Sequence, residues 1–412
     1  MPVNTLTFNQ AATVLNSILQ QATGQSAAVA TNTGEFVSQA QTALLTGYDT
    51  IMDAVSQVLT RTIFSIRPYS AKFRGMEVTE SSWGNHVRKI SIAARGLRDD
   101  DAWKWPVGYD ATQNPANGNG QSVDPFVIAK PDILQTNFYG SSVYEYAYTL
   151  TRNQMRQAFR GPEEFSDFVS LQIQERSNEL EQARENFARG TLVNYIAGLI
   201  ASEGSHDRAA GDAVIPVLSL YNQKTGLSLT ATSVYQPANY KAFVQWLYAF
   251  TAELSALLEE RSEKYQTVIG SKHILRHTPV RDQRIYFNAG NRFAMEMMAQ
   301  ADVYHDTYLR MAGDVEAVTF WQAIDDPMTV KATASYTGTN GAVKTAAVDS
   351  TAEGVGPVLG VIMDREAAGY AVTDMWSEPA RNGRGGYTTY WDHAVLRSWN
   401  DFTEKGLVLL MA

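Results

Sequence analysis

Cysteine is absent from all 412 residues, which excludes disulfides, thiolate metal ligands and cysteine nucleophiles together. Charge is scarce as well: Asp, Glu, Lys and Arg make up 19% of the chain, against ~25% in ordinary soluble domains. A surface this poor in charge is expected to lie against protein, which favours an obligate assembly over a monomer. Long apolar runs are also missing. LVNYIAGLIA (192–201) and LVLLMA (407–412) fall well short of the ~20 residues of a membrane helix, so no membrane span is expected. The opening MPVNTLTFNQ lacks the basic-then-apolar order of a signal peptide. What is present is a chain that is 44% hydrophobic and 11% aromatic with a net charge of −9, long enough for two or three packed units.

That charge is unevenly placed. Residues 1–60 hold no Lys or Arg, and their only acids are Glu35, Asp49 and Asp53. Rich in Gln, Thr, Ala and Asn, they read as an extended or loosely helical arm with a short amphipathic helix over 42–60, or as a tail without structure until a partner binds it. Residues 61–104 reverse the sign: nine basic residues face five acids, a local +4 that leaves −13 on the rest.

Ile90 and Ile92 alternate with Lys89, Ser91 and Ala93, and Tyr144, Tyr146, Tyr148 and Leu150 alternate with Val143, Glu145 and Ala147. Both ends of 61–150 therefore read as strands. Between them lies a non-periodic stretch with Asp99, Asp100, Asp101, Trp103, Trp105 and the turn-rich NPANGNG of 114–120. So long a loop is out of place in a compact domain, and a lone hairpin is marginal in water. A projecting hairpin completed by a neighbouring subunit removes both objections; a mobile surface lid is the alternative.

Pro162, Glu163 and Glu164 suit the first turn of a helix. The spacing of Phe165, Phe168, Gln172, Arg176, Leu180, Ala183 and Phe187 extends that helix to about 202, with Glu175, Glu179, Glu181 and Glu185 on other faces and Gly190 and Gly198 as points of bending or interruption. A second helix is expected over 239–264 on the stripe Phe243, Leu247, Phe250, Leu254 and Leu257. Then come a short strand at 265–269, a helical stretch over 283–301 and a strand at 315–321, together an α+β unit. Residues 328–356 look like a strand-and-loop insertion. Strands return at 358–364 and 375 onward, where an Asn382–Gly383 turn leads to a run with Tyr387, Thr389, Trp391, His393, Val395, Arg397 and Trp399 on one face. Residues 405–412 read as a short strand that can be buried.

Catalytic signatures are missing: there is no phosphate-binding loop pattern, nucleophile elbow or HExxH. His273 and His277 would share a helix face four apart, but the Glu and third ligand of a zinc protease are lacking. His86, His206, His305 and His393 sit in unrelated contexts and read as structural. Asp99, Asp100 and Asp101 lack the alternating spacing and turn glycine of a calcium loop, so ion pairing with another chain is the better reading. Trp103, Trp105 and the aromatics of 387–391 suit core or interface better than stacking on sugars or bases. An acidic chain whose basic residues are scattered through hairpin strands has no continuous footprint for gripping DNA, though it suits a container that encloses it. No catalytic residue, cofactor or metal is expected.

This order of elements resembles the major capsid proteins of tailed double-stranded DNA phages, with the α+β Hong Kong 97-type fold. The likeness is greatest in VIMDREAAGYAVTDMWSEPARNGRGGYTTYWDHAVLRSWNDFTEKGLVLLM (361–411), which is similar to the terminal strands of many such proteins and, in flavour, to those of short-tailed phages. The resemblance implies an N-terminal arm (1–60), an extended loop (61–150), a peripheral domain with a spine helix (151–237), an axial domain (238–327), an insertion (328–357) and returning strands (358–412). It implies a structural protein, not an enzyme, that assembles with itself as hexamers and pentamers into an icosahedral shell around double-stranded DNA. Subunit contacts are expected at Arg88, Lys89, Arg95, Arg98, Asp99, Asp100, Asp101, Trp103 and Trp105, the basic residues meeting acidic surfaces of adjacent copies. The nearly uncharged arm does not look like the charged, helical scaffold that some relatives carry, so a separate scaffolding protein is expected, together with a portal protein. The place of action would be the virion, with assembly in the host cytoplasm. Some members join a Lys of the extended loop to a neighbour's Asn; Lys72, Lys89 and Lys104 are available here, but no motif selects one. An encapsulin-like shell around a cargo enzyme, and a soluble enzyme or sugar-binding protein, remain the rival readings.

Overall fold

The computed structural model describes residues 12, 13, 16, 20, 30–32, 35–39, 72–78, 87–93, 126, 130, 132–139, 141–154, 162–204, 208, 211–270, 272–300, 314–352 and 355–412. The expected helix at 42–60 and the loop over 96–125, apart from Phe126 just beyond it, lie outside them. Strands β1 (Val87–Ile92), β2 (Ile133–Phe138) and β3 (Ser142–Thr151) precede helix α1 (Pro162–Gly204). Then follow β4 (Val214–Pro216), α2 (Val217–Thr225), α3 (Pro237–Glu259), β5 (Gln283–Asn288), α4 (Ala289–Gln300), β6 (Asp314–Val318), β7 (Lys331–Thr337) and β8 (Val343–Asp349). The chain closes with β9 (Val358–Asp364), β10 (Ala368–Asn382), β11 (Tyr387–Asn400) and β12 (Gly406–Leu410). It divides into two compact units, one of 1–85, 139–192 and 369–399, the other of 86–138, 193–368 and 400–412.

The first unit is built on a three-stranded sheet in the order β10-β11-β3, with Tyr148 opposite Tyr390 in the antiparallel β11–β3 ladder. Tyr144 meets Phe187 of α1 edge-on at 5.9 Å, and Tyr148 stacks on Tyr390 at 5.0 Å. The residues of 387–399 named above do share a face, but the buried one is opposite: Thr388, Tyr390, Ala394 and Leu396 are buried, and the Trp391 and His393 face is only half-covered. Aromatic bulk alone did not reveal which face met the helix. Off the apolar stripe of α1, Glu181 and Glu185 still do not reach solvent. Both are buried, paired along α1 with Arg184 (3.2 Å) and Arg189 (2.8 Å), and the Arg189 guanidinium lies 5.2 Å from the centre of the Phe73 ring.

The second unit centres on a five-stranded mixed sheet, β4-β12-β9-β5-β6. Every residue of β5, β9 and β12 is buried, which explains the continuous apolar runs of β9 and β12: strands covered on both faces need no alternation. Along α3, Phe243, Val244, Leu247, Leu254 and Leu258 are buried in a cluster shared with Ile285, Phe287, Leu359, Ile362, Leu407 and Leu409. Each such side chain contributes roughly 1.5–3 kcal/mol relative to exposure. Hairpin β7–β8 occupies the expected insertion, its outer ends tied by a Lys331–Asp349 ion pair of 3.2 Å.

Several boundaries differ from those read in the sequence. Helix α3 stops at Glu259, because Glu260 is extended and Ser262 bridges to Arg276. The expected strand at 265–269 is an irregular segment opened by Tyr265 at φ 68°. The expected helix over 283–301 begins as β5, since QRIYFN fills the sheet interior before α4 starts. Nor do Gly190 and Gly198 interrupt α1, which runs unbroken through both.

Candidate functional site

Among the described residues, strands β1 and β2 pair only with each other, forming a ribbon in the register Arg88–Asn137, Ile90–Gln135 and Ile92–Ile133. Strand alternation places Arg88, Ile90 and Ile92 on one face and Lys89 and Ser91 on the other. The apolar side points outward: Ile90, Ile92 and Ile133 are 54%, 65% and 49% exposed, while Ser91 and Ala93 are buried and Lys89 is largely so. The ribbon is thus inverted relative to an ordinary surface hairpin.

Polar groups of the second unit receive its inward side. Lys89 Nζ lies 3.1 Å from Glu366 Oε2 and 3.1 Å from Asp401 Oδ2, and also pairs with Glu404 Oε1. Arg276 bridges the same Glu404 oxygen at 3.0 Å and donates to Ser91 Oγ at 2.7 Å. Lys272 Nζ donates to the Ile133 carbonyl at 2.5 Å.

Local chemistry fixes this seat. Asp401 Oδ1 accepts from the Thr403 backbone N–H (2.9 Å) and hydroxyl (2.6 Å), an Asx-type turn that leaves Oδ2 facing Lys89. Asp364 organises the Glu366 turn, accepting its N–H at 2.8 Å and the Thr278 hydroxyl at 2.7 Å. Arg208, buried, donates to the Phe402 carbonyl (2.9 Å) and Thr267 Oγ1 (3.0 Å), and so holds the 402–406 backbone. Lys405 Nζ donates to Ser262 Oγ at 3.1 Å and to the Glu260 carbonyl.

Two cations face three carboxylates, leaving one negative charge in excess. Burial pushes the Glu404 carboxyl up to about 7 against the opposing pull of Lys89 and Arg276, with Asp401 adding to the rise. Burial acts to lower Lys89, but Asp401, Glu404 and Glu366 outweigh it and hold the ammonium above its usual range. Burial also draws Lys405 down to about 8. The carboxylates are spent on ion pairs and on hydrogen bonds that hold turns, and the chemistry they supply is anchorage.

Of the expected contact residues, Arg88 is exposed on the ribbon and Lys89 is engaged by acids of its own chain. Arg95, Arg98, Asp99, Asp100, Asp101, Trp103 and Trp105 lie outside the described residues. Sequence reasoning missed Glu366, Asp401, Glu404 and Arg276; the available signal was a cluster of charges, DFTEK, leading into a fully buried strand. His273 and His277 sit on an irregular segment and share no helix face, and His273 Nδ1 instead meets Glu263 at 2.7 Å. Among the described residues no helix is long and apolar enough to cross a membrane, and no group of three or more His, Asp or Glu is placed to hold a metal ion.

The sequence profile of the Phi29-like phage major capsid protein family matches residues 102–398. No curated protein matches the chain. Among solved structures, the capsid structure of Staphylococcus phage Andhra matches with a TM-score of 0.52 and 12% identity, over 84% of this chain and 86% of that one. The structure of head fiber and inner core protein gp22 of native bacteriophage P68 matches with a TM-score of 0.52 and 11% identity, over 83% and 85%. At such identities the likeness is one of fold.

Proposed function

This chain belongs to the Phi29-like phage major capsid protein family, and from that premise we propose that its copies associate as hexamers and pentamers into a closed icosahedral shell around double-stranded DNA. It is a structural protein of the virion capsid and not an enzyme. Family membership sets aside the encapsulin, enzyme and sugar-binding readings.

Beyond membership, the observation that supports lateral assembly is the outward apolar face of the ribbon, Ile90, Ile92 and Ile133. Exposed in a free subunit, these side chains gain stabilisation only when a neighbour covers them. The contact set Arg88, Lys89, Arg95, Arg98, Asp99, Asp100, Asp101, Trp103 and Trp105 belongs to the same proposal. Lys89 then has a double part, seating the ribbon from which the other contacts extend. The division into arm (1–60), extended loop (61–150), peripheral domain (151–237), axial domain (238–327), insertion (328–357) and returning strands (358–412) is the working map of that subunit.

A separate scaffolding protein directs closure and a portal protein occupies one vertex, with assembly in the host cytoplasm. The near absence of charge in the first 60 residues supports the separate scaffold. Electron microscopy of the purified chain, alone and with neighbouring gene products, tests the reading. Closed shells only in the presence of a second protein are expected; correctly sized shells from this chain alone would remove the scaffold, and compact particles under all conditions would remove the shell.

A further inference from the structure

We infer that the charged seat is a latch that sets the ribbon in the free subunit before any neighbour covers its apolar face. The inference rests on the self-assembly reading for its purpose, but not for its test. Lys89, Ser91 and the Ile133 carbonyl hold the ribbon through Glu366, Asp401, Glu404, Arg276 and Lys272, whereas Ile90, Ile92 and Ile133 turn their side chains to water. An apolar seat would hold the ribbon tightly in many orientations, because apolar contact is non-directional. Ion pairs and hydrogen bonds do the reverse. They fix register and direction while desolvation offsets much of their attraction. The latch thus supplies orientation, and the neighbour supplies the burial that makes it permanent.

The seat is built to be ready early. Asp401 and Glu404 lie in the 401–405 turn between β11 and β12, whose backbone is held by Arg208 and by the Gly406 N–H donating to the Tyr265 carbonyl at 2.8 Å. Glu366 follows β9 in a turn held by Asp364, and the Asp401 N–H donates to the Ala367 carbonyl at 2.7 Å, joining the two turns. All these groups belong to the second unit, so the latch forms when that unit folds.

Amide hydrogen exchange on the purified, unassembled full-length chain tests this. In Lys89→Met, which keeps the aliphatic stem and removes the charge, Val87–Ile92 and Ile133–Phe138 are expected to exchange at least tenfold faster, with Val358–Asp364 unchanged. Lys89→Arg retains most of the protection. The double variant Asp401→Asn with Glu404→Gln, which leaves no buried unpaired acids, repeats the Lys89→Met result. Unchanged ribbon protection in Lys89→Met and in the double variant overturns the latch. So does faster exchange reaching β9 in both, which makes the cluster a determinant of global stability. Compact particles by microscopy under all conditions, with neighbouring gene products included, would sink the assembly reading, while the exchange comparison still decides the latch.

Discussion

Phe402 lies flat against Tyr195, ring centroids 5.2 Å apart, and fills the space that a side chain at position 198 would need. A Cβ on Gly198 would come within 2.3 Å of the Phe402 ring. The glycine is there for close approach of the 401–405 turn to α1, and the seat of Lys89 hangs from that turn.

Gly198→Ala is therefore expected to destabilise the second unit by about 1–3 kcal/mol through overpacking, although alanine is the better helix former. Gly190→Ala, with nothing within 4 Å of its Cβ, is the control, expected to gain ~0.5–1 kcal/mol. Denaturant midpoints of both decide. Equal effects at the two positions would remove the packing argument.

How much of this was legible beforehand follows the range of each interaction. The spine helix and the β10–β11 hairpin were visible because their signals are local: long periodicity, acids after Pro162, and Asn382–Gly383 at the turn. Strand β5 was misread as helix since burial on both faces removed its alternation and QRIYFN runs straight into the helical AGNRFAMEMMAQ. The latch was invisible for another reason. Lys89 meets partners more than 270 positions away, and no spacing rule ties residue 89 to 366, 401 or 404. The ribbon's alternation was legible, but which face met protein was not, because the apolar residues face outward.

Stability should depend on pH with a trough near neutrality. Folded Glu404 keeps its proton up to about 7, whereas the unfolded group releases it near 4.5. The folded chain binds more protons between those values, so this contribution is full below 4.5 and is lost as pH rises through 7, a fall of about 3 kcal/mol. Lys405 acts oppositely. The folded amine gives up its proton near 8 and the unfolded one near 10.5, so stability rises with pH across that window. Unfolding midpoints near pH 5, 7.5 and 9.5 check both limbs. Glu404→Gln should flatten the acid limb, and an unaltered slope in that variant would exclude Glu404 as its source.

Removing Arg88 and Arg95 together should impair assembly more than folding. Arg88 is exposed on the ribbon and has little to lose in the free chain. Exposed pairs contribute only ~0.2–1 kcal/mol each, but the contact recurs in every copy of a shell, so a several-fold rise in the assembly threshold is expected. Light scattering during assembly, beside thermal unfolding of the free chain, separates the two effects. Normal shells from Arg88→Ala with Arg95→Ala would end the proposal that these residues meet acidic neighbours.

Ile90→Thr combined with Ile92→Thr probes the outward face without touching the latch. Threonine keeps the β-branched shape that suits a strand, so the β1–β2 ladder should persist. Both side chains are already more than half exposed, hence the free chain should unfold at nearly the wild-type midpoint. If a neighbouring copy covers this face, the pair forfeits about 2 kcal/mol or more per contact, because the hydroxyl is buried where a methylene was. That corresponds to roughly a thirtyfold or greater rise in the concentration at which shells appear. Sedimentation of assembly mixtures over a dilution series reads it directly. An unshifted threshold with intact ribbon protection would show that the apolar face stays bare in the shell, and lateral burial would then have to be sought elsewhere on the chain.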